Sequence, residues 1–333
     1  MIESIEFKNF KALRDTTLPL SRFTLIVGPN GSGKSTALQA FSALRHPGLP
    51  HFRQYRSLGV ANSSPIGLCA KWKEPGNDYT IGVLWQHGFL PNAQFCASAQ
   101  NTLLQETRPR SALNRSRFFA LESNEIVRQV SLQPQMELET SGANLAGVLD
   151  RLRDQSPERF KGLNEQLKIW IPEFDQVLFD TPSQGHRSIA LRTHKGGHKI
   201  EADQLSQGTI IALTLLTIAS LPEPPSIVCL EEPDHGLHPR LLRDVRDALY
   251  RLAYPDAAYE KLEPVQVIAT THNPYFLDLF REHPEEIVIA EKVGLDATFS
   301  RLSDRSDLEE ILGDAPLSEV WYSGVLGGVP AGT

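Results

Sequence analysis

Residues 28–35 read Gly28-Pro29-Asn30-Gly31-Ser32-Gly33-Lys34-Ser35, directly after the apolar run Phe23-Thr24-Leu25-Ile26-Val27. A strand, a glycine-rich loop of the form G-x-x-x-x-G-K-[ST] and a helix, in that order, make a phosphate-binding loop. Each residue type follows from the chemistry. Glycines let the backbone wrap so that successive N–H groups point at phosphate oxygens. Lys34 adds a point charge for the β- and γ-phosphates, and the Ser35 hydroxyl suits Mg²⁺. The spacing predicts a helix from Lys34 to Leu44 with Ala37, Leu38, Phe41 and Leu44 on one face. Its N-terminal dipole end then faces the nucleotide while its apolar stripe faces a core.

Three later segments narrow the reading. Leu205-Ser206-Gln207-Gly208-Thr209 opens an apolar helical run, Ile210 to Leu221. A Ser and a Gly there offer a hydroxyl and free N–H groups to an anion, although Ser206 taken alone reads as a simple N-cap. Ser226 to Leu230 forms a short apolar strand ending in Glu231 and Glu232, set off by Pro222, Pro224 and Pro225 and stopped by Pro233. Adjacent carboxylates at a strand end are costly without a cation nearby, and side chains alternate, so the two need not share one task. Val265 to Thr271 is a further strand, followed by His272-Asn273-Pro274. The helix between these strands, Pro239 to Tyr254, carries a stripe of Leu241, Leu242, Val245, Leu249 and Leu252. A strand–helix–strand unit returns both strand ends to one sheet edge, which brings His272 within reach of a γ-phosphate.

Phosphate loop, Leu-Ser-x-Gly, diacid strand, Asp234-His235-Gly236-Leu237-His238-Pro239 and Thr271-His272, in this order, resemble an ABC-type ATPase head. The chain is most similar to the RecF-like and SMC-like branch of AAA-family ATPases, whose relatives include OLD-family nucleases and anti-phage ATPases. The opening Ile5-Glu6-Phe7-Lys8-Asn9-Phe10-Lys11 resembles that branch's first strand and nucleotide-contacting turn, and the ending Val320-Trp321-Tyr322-Ser323-Gly324 is also similar. The resemblance implies a P-loop head of α/β class with a mixed β-sheet, an antiparallel β subdomain and a helical insertion. It implies ATP and Mg²⁺ as cofactors. Gly28, Asn30, Gly31, Ser32, Gly33, Lys34, Ser35 and Thr36 would cradle the phosphates, with Ser35 and Glu231 serving the metal. Glu232 would be the general base, and His272 the switch histidine at the γ-phosphate. Ser206 and Gly208 would close over nucleotide held by a second subunit, with Asp234, Gly236 and His238 in the loop crossing that interface.

Two departures shape the expectation. Glu stands at 231 where the family usually has Asp, and Gln207 and Thr209 replace the transporter-type Gly and Gln, which argues against a membrane transporter subunit. Gln86 is a candidate for the glutamine loop. The resemblance thus implies an ATP-driven dimerisation switch of a DNA-repair or phage-defence complex. Two copies or related heads would sandwich ATP and act on a separate nuclease or toxin; DNA is a further candidate partner. The alternative is an ATP-binding sensor or scaffold with little hydrolysis.

Bulk properties agree with a soluble α/β protein. The chain has 333 residues, 41% hydrophobic and 22% charged, with a net charge of −7. That balance excludes a basic nucleic-acid footprint over the whole surface. Arg108, Arg110, Arg115 and Arg117 form a local exception, read either as a solvated face or as a phosphate-backbone contact. Three scattered cysteines suggest a reducing cytoplasm, the N-terminus has no secretion signal, and the run Ile210 to Leu221 is too short to span a bilayer. Hairpins are expected at 68–85, around Glu74-Pro75-Gly76-Asn77, and at 187–200, around Gly196-Gly197. Helical pattern runs from Gly142 to Ile171, and a strand at Ile287–Ala290 is followed by a short tail. We expect one head over residues 1–333 with a helical and basic insertion at 90–172.

Overall fold

The computed structural model describes residues 1–46, 52–74, 77–85, 108–255, 263–313 and 315–329. Along the chain come β1 (Ile2–Phe10), β2 (Leu13–Pro19), β3 (Phe23–Val27), α1 (Lys34–Arg45), β4 (Ile66–Glu74), β5 (Asn77–Trp85), α2 (Arg108–Asn114) and β6 (Ser116–Ala120). Then follow α3 (Ser123–Ile126), β7 (Val130–Ser131), α4 (Leu145–Gln155), α5 (Pro157–Trp170), β8 (Phe174–Asp180), β9 (His186–Thr193), β10 (Lys199–Glu201) and α6 (Gln207–Ser220). The last stretch holds β11 (Ile227–Glu231), α7 (Pro239–Ala253), β12 (Gln266–Thr271), α8 (Pro274–Asp278), β13 (Ile287–Val293), β14 (Asp296–Arg301), α9 (Leu308–Leu312) and α10 (Leu317–Tyr322). Contacts divide the chain into two compact units: Met1–Phe118, Pro225–Glu231 and Leu262–Thr333 form the first, and Phe119–Pro224 with Glu232–Lys261 form the second.

The first unit is built on a sheet of order β14-β13-β3-β12-β11-β6. Strands β13, β3, β12 and β11 run parallel, while β14 returns antiparallel to β13. Every residue of β3 and β12 is buried, which is why both read as unbroken runs rather than alternating ones. A second, antiparallel sheet has the order β2-β1-β4-β5. Helix α1 buries Ala37, Leu38, Phe41 and Leu44 as its spacing requires, and Ala40 and Ala43 as well. Those residues join Ile5, Phe7 and Phe10 of β1 and Trp85 of β5 in one core. Burying Phe41 or Leu44 stabilises the unit by roughly 1.5–3 kcal/mol each, so α1 is fixed by packing rather than by capping.

In the second unit α6 is buried without interruption from Ile210 to Ile218 and packs against α3, α5 and α7. A helix apolar all round is an internal helix; among the described residues no helix is long and apolar enough to cross a membrane. Strands β8, β9 and β10 form an antiparallel sheet that β7 extends. Both expected hairpins are present, as β4–β5 and β9–β10.

The structure differs from the sequence reading in three places. The expected tail after Ile287–Ala290 instead contains β14, α9 and α10. Strand β8 went unread because its buried positions, Phe174 and Val177, are three apart rather than two. Strand β6 lies inside the basic stretch, where Arg115 and Arg117 obscure the pattern of Ser116 and Phe119 pointing inward. Gln86 and residues 90–107 of the expected insertion lie outside the described residues.

Candidate nucleotide site

In the first unit the parallel register fixes where the loop opens. Val27 lies opposite Thr271, and Leu230 lies opposite Ala269. The carboxyl ends of β3, β12 and β11 therefore finish at one sheet edge, the position at which open α/β sheets hold ligands. The phosphate loop leaves β3 there and runs into α1. Gly31 and Gly33 have φ of 76° and 91°, left-handed values that an L side chain resists. Gly33 is doubly constrained, because a Cβ would stand 2.7 Å from Leu13 Cδ2. At Gly28 a Cβ would collide with the backbone oxygen of Ala290 on β13.

Lys34 is buried, and its ammonium donates to the carbonyls of Gly28 and Pro29, both at 2.8 Å. The Ser35 hydroxyl donates to Glu231 Oε1. The longer Glu at 231 thus still brings its carboxylate to the serine of the phosphate loop. Ser32 is fully buried, and its hydroxyl has no hydrogen-bond partner among the described residues. An orphaned buried hydroxyl is rare unless a ligand or ion completes it. The residues fit a nucleotide and a hard cation: a tight loop, an unsatisfied hydroxyl, a lysine, and a Ser/Glu oxygen pair.

Past β12, Thr271 Oγ1 accepts from the Asn273 amide at 2.9 Å, and Asn273 Oδ1 caps α8 by accepting from Tyr275 at 3.0 Å. His272 is held between these two local bonds at the same sheet edge. On the opposite flank, β13 continues past the loop and sets Lys292 Nζ 3.7 Å from where a Cβ on Gly31 would stand. The turn after β1 carries Lys11 at φ 52°, its ammonium on Gln39 of α1 at 2.6 Å and 5.4 Å from the Tyr55 ring centre. Burial pushes the Lys11 pKa down. Gln39 and Tyr55 escaped the sequence reading because neither carries a motif. The basic stretch does structural work: Arg110 donates to the carbonyl of Leu44, the last turn of α1, at 3.1 Å, and Arg117 to Ser116 O at 3.0 Å.

Asn30 and Thr36 lie in the same phosphate loop and α1 of the first unit, and the second unit contains Ser206, Gly208 and Glu232, with Asp234, Gly236 and His238. Ser206 caps α6, its hydroxyl accepting from Thr209 N at 3.1 Å. Gly208 sits against the loop that precedes α7: a Cβ there would stand 2.5 Å from Gly236 O. Gly236 itself has φ 72°. The loop closes through Glu232 O accepting from His235 N at 2.9 Å and Asp234 O accepting from Leu237 N at 3.2 Å. His238 caps α7 through Nδ1, which accepts from Arg240 N at 3.2 Å. Glu232 has φ 44°, the left-handed region. A long acidic side chain in that conformation is strained, and such strain gathers at functional sites. No sequence signal announces that conformation.

A family described as "AAA domain, putative AbiEii toxin, Type IV TA system" matches residues 98–278, more than half of the chain, and one described as "AAA ATPase domain" matches residues 1–79. The chain belongs to the AAA ATPase family. A curated relative, the OLD nuclease of Thermus scotoductus, is 21% identical over 360 aligned positions, covering 93% of this chain. The chain spans only 66% of that relative's length. Among solved structures, the SMC head domain from Thermotoga maritima has the same fold, with TM-score 0.54, 17% identity, and coverage of 90% of this chain and 98% of that one. The recombination mediator protein RecF aligns with TM-score 0.47 at 11% identity, over 82% of this chain and 92% of that one. This AAA-family chain is accordingly an ATPase, with the P-loop architecture expected from its motifs and the fold of the SMC head.

Proposed function

We propose that this AAA ATPase is an ATP-driven dimerisation switch. The observation that carries the reading is the Ser35 hydroxyl on the Glu231 carboxylate at the carboxyl edge of the parallel strands. That pair would supply two of the oxygens around a divalent cation beside the phosphate loop, with phosphates and waters as the rest. Mg²⁺ bound by Ser35 and Glu231 would neutralise the triphosphate and polarise the bond to be broken. Lys34 would exchange its bonds to Gly28 O and Pro29 O for phosphate oxygens. Backbone N–H groups from Gly31 to Thr36 would cradle the same phosphates. Glu232, next along the chain, would orient and deprotonate the attacking water, and His272 would hydrogen-bond the γ-phosphate.

The capped start of α6, Ser206 and Gly208, would bind nucleotide held by a second copy or a related head. Close packing of Gly208 on Gly236 O would make the loop 232–238 sense that contact. Hydrolysis would then release the pair. The output would pass to an effector, a nuclease or a toxin, in phage defence or DNA repair, with DNA as a second ligand.

The test is a Glu232→Gln protein with saturating Mg–ATP, followed by light scattering after size-exclusion chromatography. It should accumulate as a dimer that dissociates when ATP is removed. A Glu232→Gln protein that stays monomeric with ATP bound would overturn the reading.

A further inference from the structure

We propose that Lys292 is a second phosphate-contacting cation of the nucleotide site, reaching the polyphosphate from the β13 flank. The inference rests on the nucleotide-binding reading above. It begins with position: β13 runs parallel to β3, with Ile289 opposite Val27, so the residues after Ile289 pass alongside the phosphate loop. Ala290 lies against Gly28, and two residues further Lys292 points to the same face. Its ammonium stands 3.7 Å from the Cβ direction of Gly31, at the crest of the loop.

Placement is rigid at the backbone and open at the tip. Lys292 pairs with Ala297 inside the β13–β14 ladder, and Ala297 in turn packs 3.4 Å from the Cβ position of Gly33. The hairpin is therefore keyed to the loop at Gly28 and Gly33, with the lysine between these contacts. Glu291, the adjacent acid, points to the opposite face and lies against Gly327. Among the described residues Lys292 has neither a carboxylate nor a hydrogen-bond acceptor, and its side chain is exposed. A lysine on a solvated strand end can serve solubility alone. Here, however, the ladder to β3 ends at Ile289, and what stands beside the lysine past that point is the crest of the phosphate loop.

Electrostatics supplies the reason for a second cation. A nucleoside triphosphate carries more negative charge than one lysine and one divalent ion neutralise. An ammonium on a flexible four-carbon stem can follow the phosphates as they bind. Lys34 would bind from within the loop, and Lys292 from its rim.

The experiment titrates wild type, Lys292→Ala, Lys292→Arg and Lys34→Ala with fluorescent mant-ATP and Mg²⁺ at low and high salt. Lys292→Ala should weaken binding about 10-fold at low salt, the factor of one charge-assisted hydrogen bond to an exposed group. The deficit should shrink at high salt through screening, and Lys292→Arg should restore most of the affinity. Melting temperature should not change. If Lys292→Ala binds within twofold of wild type at every salt while Lys34→Ala loses binding, the proposal is wrong and the nucleotide site stands. If Lys34→Ala also binds as wild type, both fail.

Discussion

Replacing Glu232 by Gly and, separately, by Ala separates the chemistry of this residue from the strain in its backbone. At φ 44° an L-residue pays for the crowding of its Cβ against the following carbonyl, roughly 1–2 kcal/mol. Glycine escapes that strain but loses more freedom on folding, which offsets about 0.5–1 kcal/mol. Glu232→Gly should therefore be more stable than Glu232→Ala by about 0.5–1 kcal/mol. Both variants lose the same carboxylate, including its 3.8 Å approach to His235, so side-chain contacts cancel in the comparison. With a denaturant slope of about 2–3 kcal/mol/M, the urea midpoint of the Gly variant should lie about 0.2–0.5 M above that of the Ala variant. Turnover of ATP should be lost in both, by about 10²–10⁴-fold, the usual contribution of a positioned general base. A Gly variant no more stable than the Ala variant would refute the strain. A Gly variant that still hydrolyses ATP would refute the role of the carboxylate.

A matched pair of glycines tests the packing of the α6 start. Alanine at Gly162, in the middle of α5 with nothing within 4 Å, should stabilise by about 0.5–1 kcal/mol through helix propensity. Alanine at Gly208 meets Gly236 O at 2.5 Å, and the cost of overpacking, about 1–3 kcal/mol, exceeds the same propensity gain. Opposite shifts in the urea midpoint are expected; two stabilising substitutions would show that the loop yields freely.

Much of this architecture was legible in the sequence because it rests on local chemistry. The phosphate loop, β3 and α1 were fixed by glycine spacing and an apolar stripe, and β11 by the prolines that bracket it. Buried parallel strands announced themselves as continuous apolar runs. What escaped depends on tertiary partners. Strand β14 exists because β13 offers it an antiparallel partner, and β8 buries two residues at a spacing that resembles no strand. At the site, the motif residues could be named from their order, but three features were hidden. Ser35 touching Glu231, the left-handed backbone of Glu232 and the closeness of Gly208 to Gly236 all require the chain to fold first. Arg110 illustrates the reverse. A cation that read as surface charge is turned onto the last carbonyls of α1, where desolvation lowers its pKa.

The central claim, hydrolysis by a dimer that assembles around ATP, is tested most directly by specific ATPase activity against protein concentration, for wild type beside Glu232→Gln. The account predicts activity per molecule that rises with concentration toward a plateau and is absent from the variant. Activity independent of concentration, or a Glu232→Gln protein that turns over ATP as wild type does, would contradict it.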